Sequence, residues 1–188
     1  MLVQVFQTIT AVMAASVSII FFYQIAYLFV PFLLRKKRGK RGTPEEHTYA
    51  ILIAARNEEK VIGHLLDSIR NQKYPGEKIT TFVVADNCTD STAEIARQAG
   101  AVVYERFNKE QVGKGYAINH LLSKIDEDYG WDNFDAYMIF DADNVLMPDY
   151  IRQMNRLCDE GYKAFTGYRN TKNFGSSWAS AGHGIWYL

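Results

Sequence analysis

Acidic residues are missing from the first 44 positions, and this absence divides the chain in two. The same stretch holds six basic residues, Arg35, Lys36, Lys37, Arg38, Lys40 and Arg41. The remaining 15 Lys and Arg face all 21 Asp and Glu, so the rest of the chain is mildly acidic, which argues against a nucleic-acid binder. Cysteine is scarce: Cys88 and Cys158 stand in unrelated contexts without metal-ligand spacing, and read as two reduced cytosolic thiols. No internal repeat is present. Gly113-Lys114-Gly115 lacks the spacing of a P-loop. His47, His64, His120 and His183 are scattered and suggest no Ser–His–Asp arrangement. What remains, 188 residues with 48% hydrophobic content, is enough for one domain with a core plus an accessory segment.

The accessory segment is the apolar run from Val5 to Leu34, interrupted by Gln7, Thr8, Thr10, Ser16, Ser18 and Gln24. About 20 apolar residues span a bilayer core. A secretory signal would carry its positive charges ahead of a shorter apolar core. Here they follow it, and positive flanks stay cytoplasmic. The predicted organisation is a transmembrane helix over 1–34, a basic juxtamembrane linker over 35–47 and a cytoplasmic domain over 48–188.

Within that domain, Tyr49 to Ala54, Thr80 to Ala85, Ala101 to Tyr104 and Ala136 to Phe140 read as short buried strands, with a fifth at Lys163 to Thr166. Between them, Val61, Ile62, Leu65, Leu66 and Ile69 recur at helical spacing. So do Ile95, Ala96 and Ala99; Ile118, Leu121, Leu122 and Ile125; and Ile151, Met154 and Leu157. Thr89, Asp90 or Ser91 can cap the second of these helices, and Pro148 suits the first turn of the fourth. Alternating strands and helices predict an α/β fold with a mostly parallel sheet, whose strands end along one ligand-binding edge.

Four strand ends carry polar or small groups. Asp141 and Asp143 share one side if the backbone there is extended. Their mutual repulsion, about 4 kcal/mol at 4 Å and an effective dielectric near 20, calls for a cation, and hard oxygens suit Mg²⁺ or Mn²⁺. Seen alone, each feature has a plain alternative: a solvated acidic turn, a surface ion pair at Arg56 and Glu58, a helix cap at Asp86, a simple helix start at Lys114.

Taken together, Ala55-Arg56-Asn57-Glu58-Glu59, Ala85-Asp86-Asn87-Cys88-Thr89-Asp90-Ser91-Thr92, Gly113-Lys114-Gly115-Tyr116-Ala117-Ile118-Asn119 and Phe140-Asp141-Ala142-Asp143 resemble the inverting family 2 glycosyltransferases of GT-A fold. The resemblance covers roughly residues 48–170, in order and spacing. It implies transfer of a sugar from a nucleoside-diphosphate donor, expected to be a UDP-sugar, to a glycan or lipid acceptor at the cytoplasmic membrane face. It implies that Ala55, Arg56 and Glu58 line the nucleotide pocket, that Asp86 accepts a hydrogen bond from the base with Asn87 beside it, and that Lys114 lies near the diphosphate. Asp141 would hold the ribose or sugar, and Asp143 would ligate Mg²⁺ or Mn²⁺, the two acting as the catalytic carboxylates. The family's general base and its acceptor-side motif are expected after Leu188, so these residues are expected to form a donor-binding half. Gly167 to Leu188, with Trp178, Trp186 and Tyr187, would lead towards the acceptor or supply core and membrane-surface contacts. Two rival readings stand beside this one. Phe140 to Leu146 also resembles the first motif of haloacid-dehalogenase-like phosphatases, and a tethered nucleotide-binding or scaffolding module would need no turnover.

Overall fold

The structure, a computed structural model, describes residues 2–33, 45–169 and 178. The chain forms two compact units, Met1–Gly42 and Thr43–Leu188.

The first unit contains one helix, α1 (Leu2–Leu33). Its Val3–Phe22 stretch has a mean hydropathy of 2.0 and is long and apolar enough to cross a membrane. The hydroxyls of Thr8, Thr10, Ser16 and Ser18 donate to the carbonyls of Gln4, Phe6, Val12 and Ala14, four residues earlier, at 2.8–2.9 Å. These four hydroxyls thus satisfy their own donors inside the helix. The basic run Arg35 to Arg41 lies outside the described residues.

The second unit runs β1 (Tyr49–Ala55), α2 (Ile62–Arg70), β2 (Ile79–Asp86), α3 (Thr92–Gln98), β3 (Val102–Arg106), α4 (Lys114–Tyr129), β4 (Ala136–Asp141) and α5 (Tyr150–Asp159). The four strands are parallel in the order β3-β2-β1-β4. Strand β1 is buried on both faces. Tyr49, Ile51, Ile53 and Ala55 meet Ile62, Leu65 and Ile69 of α2, Ala96 of α3 and Ile151 and Met154 of α5. On the opposite face Ala50 and Leu52 join Phe82, Val84 and the α4 residues Ala117, Leu121 and Ile125. This period-2 division is why the parallel strands read as continuous apolar runs.

Three expectations need adjustment. Among the described residues the sheet has four strands; Lys163 to Thr166, predicted as a fifth, form none. That stretch is fastened by a side chain instead, Phe165 packing against the α2–α5 side of the core. Strand β3 runs on to Glu105 and Arg106 because Arg106 pairs with Asp86 across the ladder. Helix α5 starts at Tyr150, with Pro148 in the turn before it. Of the three candidate caps of α3, Ser91 stands at the N-cap position without a side-chain cap bond, and the preceding Asp90 accepts through Oδ1 from Thr92 N at 3.1 Å and from Thr92 Oγ1 at 2.6 Å.

At the amino edge of the sheet, buried Asn155 of α5 closes a polar network. Its Oδ1 accepts from Tyr49 Oη and Tyr74 Oη, each at 2.8 Å, and from His47 N at 3.2 Å, while its Nδ2 donates to Glu45 O at 2.7 Å. Burial, then the nearby Glu46 carboxylate, pushes the Tyr74 phenol up to about 12. Asn155→Ala leaves the buried Tyr49 phenol without its acceptor, whereas Tyr74 keeps the His47 carbonyl at 2.8 Å, and is expected to lower the unfolding free energy by about 1–3 kcal/mol, read from urea titration in mild detergent. A phenol whose folded pKa exceeds its unfolded value near 10 stabilises fully below that value and loses its contribution as pH rises towards about 12. Tyr74→Phe should therefore flatten the loss of stability across that alkaline window, measured as unfolding midpoint against pH.

Candidate functional site

Three crossovers place the strand ends together. Chain winding carries β1 to β2 to β3 in one direction, then returns through α4 to set β4 on the other flank of β1. The reversal opens a crevice at the carboxyl ends of β1 and β4, the usual ligand position in such sheets. Register then aligns Ala55 with Ala85, Asp86 with Arg106 and Ala54 with Asp141.

Asp86 and Arg106 are only 5% and 7% exposed. Arg106 Nη1 donates to Asp86 Oδ1 at 2.6 Å, and its Nη2 to Gln111 O at 2.9 Å. Asn87, at φ +53°, donates from its backbone to Arg106 O at 2.7 Å and exchanges side-chain bonds with the backbone of Asn108. Its Nδ2 also reaches Asp86 Oδ1 at 3.2 Å. Left-handed backbone is tolerated by asparagine more readily than by most residues. The pair Asp86-Asn87 thus ties β2 to the β3–α4 loop. Asp86 does not cap α3.

The β1–α2 and β2–α3 loops interlock. Asn57, at φ +56°, accepts from Thr89 N at 2.8 Å. Glu58 N donates to the fully buried Thr92 Oγ1 at 2.8 Å, and Glu59 exchanges bonds with Asp90 and Ser91. Cys88 Sγ lies 3.4 Å from Ala55 O, and burial pushes its thiol up, away from the reactive thiolate. Ala55 is buried, Glu58 is half-buried beside it, and Arg56 is exposed. The Arg56–Glu58 ion pair offered as a plain alternative is not among the ion pairs of the described residues.

Asp141 is the last residue of β4, so the extended-strand argument for Asp143 does not hold. Residues 141–144 instead close a turn, with Asn144 N donating to Asp141 O at 3.0 Å. Asn144 Oδ1 accepts from Asp141 N at 3.2 Å, and its Nδ2 donates to Asp143 Oδ1 at 3.1 Å. Lys114 Nζ pairs with Asp141 Oδ1, and Arg169 Nη1 lies 3.9 Å from Asp141 Oδ2. Lys114 opens α4 immediately after Gly113, whose φ of +131° only glycine adopts freely.

Among the described residues no group of three His, Cys, Asp or Glu side chains could cage a metal ion. The donors present are hard carboxylate oxygens in an exposed turn. Such a set fits Mg²⁺ or Mn²⁺ held by one or two carboxylates, with phosphate and water completing the shell. The structure therefore brings Asp86 and Asn87, Lys114 with Asp141, and the Asp143 turn to one sheet edge. Arg106 and Arg169 escaped the sequence reading. A basic residue closing a strand next to an acidic strand end was the available signal for Arg106, whereas Arg169 had none.

The model of the glycosyltransferase like family 2 matches residues 44–187. The chain belongs to that family. A 70-residue stretch is 46% identical to the 4,4'-diaponeurosporenoate glycosyltransferase of Staphylococcus aureus strain USA300, covering 37% of this chain and 18% of that protein. The mannosyltransferase PcManGT from Pyrobaculum calidifontis, solved with GDP-Man and Mn²⁺, superposes with a TM-score of 0.51 at 23% identity, over 67% of this chain and 36% of its own. S. aureus TarS 1-349 with UDP-GlcNAc gives 0.49 at 18% identity, over 66% of this chain and 38% of its own. The likeness to PcManGT shows the GT-A fold: a parallel sheet flanked by helices. The chain spans well under half the length of these relatives.

Removing one member of a buried ion pair strands the other. Arg106→Ala is expected to cost about 3–5 kcal/mol of stability. Asp86→Asn, which keeps an acceptor for Arg106, should cost less, both read from urea titration at neutral pH.

Proposed function

We propose that this chain carries the donor site of a glycosyltransferase that moves a sugar from a nucleoside-diphosphate sugar, of UDP type, to a glycan or lipid acceptor. The observation that carries this reading is the convergence of Asp86, the Lys114–Asp141 pair and the Asp143 turn at the crevice beside β1. Asp86, held by Arg106, presents a fixed acceptor for a base N–H. Ala55 and Glu58, locked by the β2–α3 loop, form the floor beside it, and exposed Arg56 and half-buried Asn87 border the pocket. Lys114 sits where a diphosphate would lie, and Asp141 orients both Lys114 and the ribose or sugar. Asp143, with Asp141 beside it, would hold Mg²⁺ or Mn²⁺. When bound, that ion stabilises the negative charge that grows on the leaving diphosphate. Inversion follows from the family resemblance and needs a base for the acceptor hydroxyl.

Helix α1 is proposed as a membrane anchor, with the basic run on the cytoplasmic side and the donor site in the cytoplasm. On this reading residues 1–34 form the anchor, 35–47 the linker and 48–188 the catalytic domain.

The experiment is calorimetric titration of UDP into the 188-residue chain in mild detergent, with and without Mn²⁺, in wild type and Asp143→Asn. Manganese-dependent binding that the substitution weakens at least tenfold is expected. A folded chain that binds neither UDP nor GDP would overturn the donor reading. Binding with no sugar transfer in the intact protein would favour a tethered nucleotide-binding module.

A further inference from the structure

Past α5 the chain returns towards the carboxyl end of β4. Phe165 packs against the core, and Gly167 lies against the ring of Tyr150, itself edge-on to Phe140 with centroids 5.6 Å apart. A Cβ on Gly167 would stand 2.6 Å from both Tyr150 Cε2 and Oη, so glycine alone allows this approach. Two residues later, Arg169 reaches Asp141 from the side opposite Lys114. The Asp141 carboxylate is thus bracketed by two cations that come from segments more than 50 residues apart in sequence.

As a stability device this bracket is poor. Lys114, Asp141 and Arg169 side chains are 48%, 40% and 61% exposed, and exposed ion pairs contribute little. What it does achieve is a positive charge in excess of the one carboxylate it faces, at the edge where the donor is proposed to bind. A guanidinium adds a planar fork that matches two phosphate oxygens at once.

Resting on the donor reading above, we propose that Arg169 is a diphosphate-binding residue. It holds the donor's phosphate oxygens jointly with Lys114 across Asp141, and the Gly167–Tyr150 contact sets its reach. The ligand class is a nucleoside diphosphate, with either base.

The test titrates UDP, GDP and the matching nucleosides into the 188-residue chain in detergent micelles. The variants are Arg169→Ala, Arg169→Lys, Gly167→Ala and Asp86→Asn. Arg169→Ala should weaken the nucleoside diphosphate about tenfold, the loss of one charge-assisted contact, and leave the nucleoside and the thermal midpoint unchanged. Arg169→Lys should fall between, and Gly167→Ala should mimic Arg169→Ala. Asp86→Asn should weaken nucleoside and diphosphate alike. Wild-type diphosphate affinity in Arg169→Ala, or an equal loss for the nucleoside, would overturn the proposal while Asp86→Asn still reports on the donor site. Wild-type protein that binds no nucleoside diphosphate would overturn both readings.

Discussion

Strand β1 is hydrogen-bonded on both edges and covered on both faces, and the rest of the second unit is arranged to allow this. Parallel partners require crossovers, and crossovers put helices over the sheet. Two of those connections, through α2 and α3, cover one face and the third, through α4, covers the other. The reversal between them necessarily falls beside β1. Its small carboxyl-terminal residues, Ala54 and Ala55, lie in register with Asp141 on one flank and Ala85 on the other.

The two banks treat their carboxylates differently. Asp86 is buried and held by a buried guanidinium, so its position is set before any ligand arrives. Removing either partner is costly, because desolvation has already been incurred. Asp141 is half-exposed, and its cations are free to exchange partners at little cost. The first arrangement suits recognition of a rigid, directional group such as a base. The second suits a charged group whose arrival rearranges counter-charges.

Much of this was legible in the residues. Strands and helices followed from apolar runs and helical spacing, and the sheet's parallel order followed from their alternation. Two of the misreadings come from contacts between segments that local pattern does not encode, and a third from a local turn. Strand β3 extends through Glu105 and Arg106 because a ladder partner waits at Asp86. Lys163 to Thr166 have the composition of a short strand but are tied down through Phe165 instead. Asp141 and Asp143 suggested a shared strand face, yet the Asn144 side chain and backbone bend the chain immediately after Asp141. Three of the four motifs were visible because each sits at a strand end, and the fourth because its glycines open α4. Arg106 and Arg169 were not, since their meaning lies in the carboxylates they meet.

Charge at the carboxyl edge carries the argument for a cation one step further. Asp86 and Arg106 cancel each other inside the protein. Asp141, Asp143, Lys114 and Arg169 also sum to zero in formal charge. A nucleoside diphosphate brings a negative charge on each phosphoryl group, and these four side chains alone would leave that charge unbalanced. Where Lys114 and Arg169 share their charge with the phosphates, Asp141 is less compensated than in the pairs it now makes. On the proposed donor reading, a divalent ion held by Asp143 with Asp141 beside it would offset both deficits, and hard oxygen donors suit Mg²⁺ or Mn²⁺. On this balance, donor and cation should bind cooperatively, each lowering the electrostatic cost of the other.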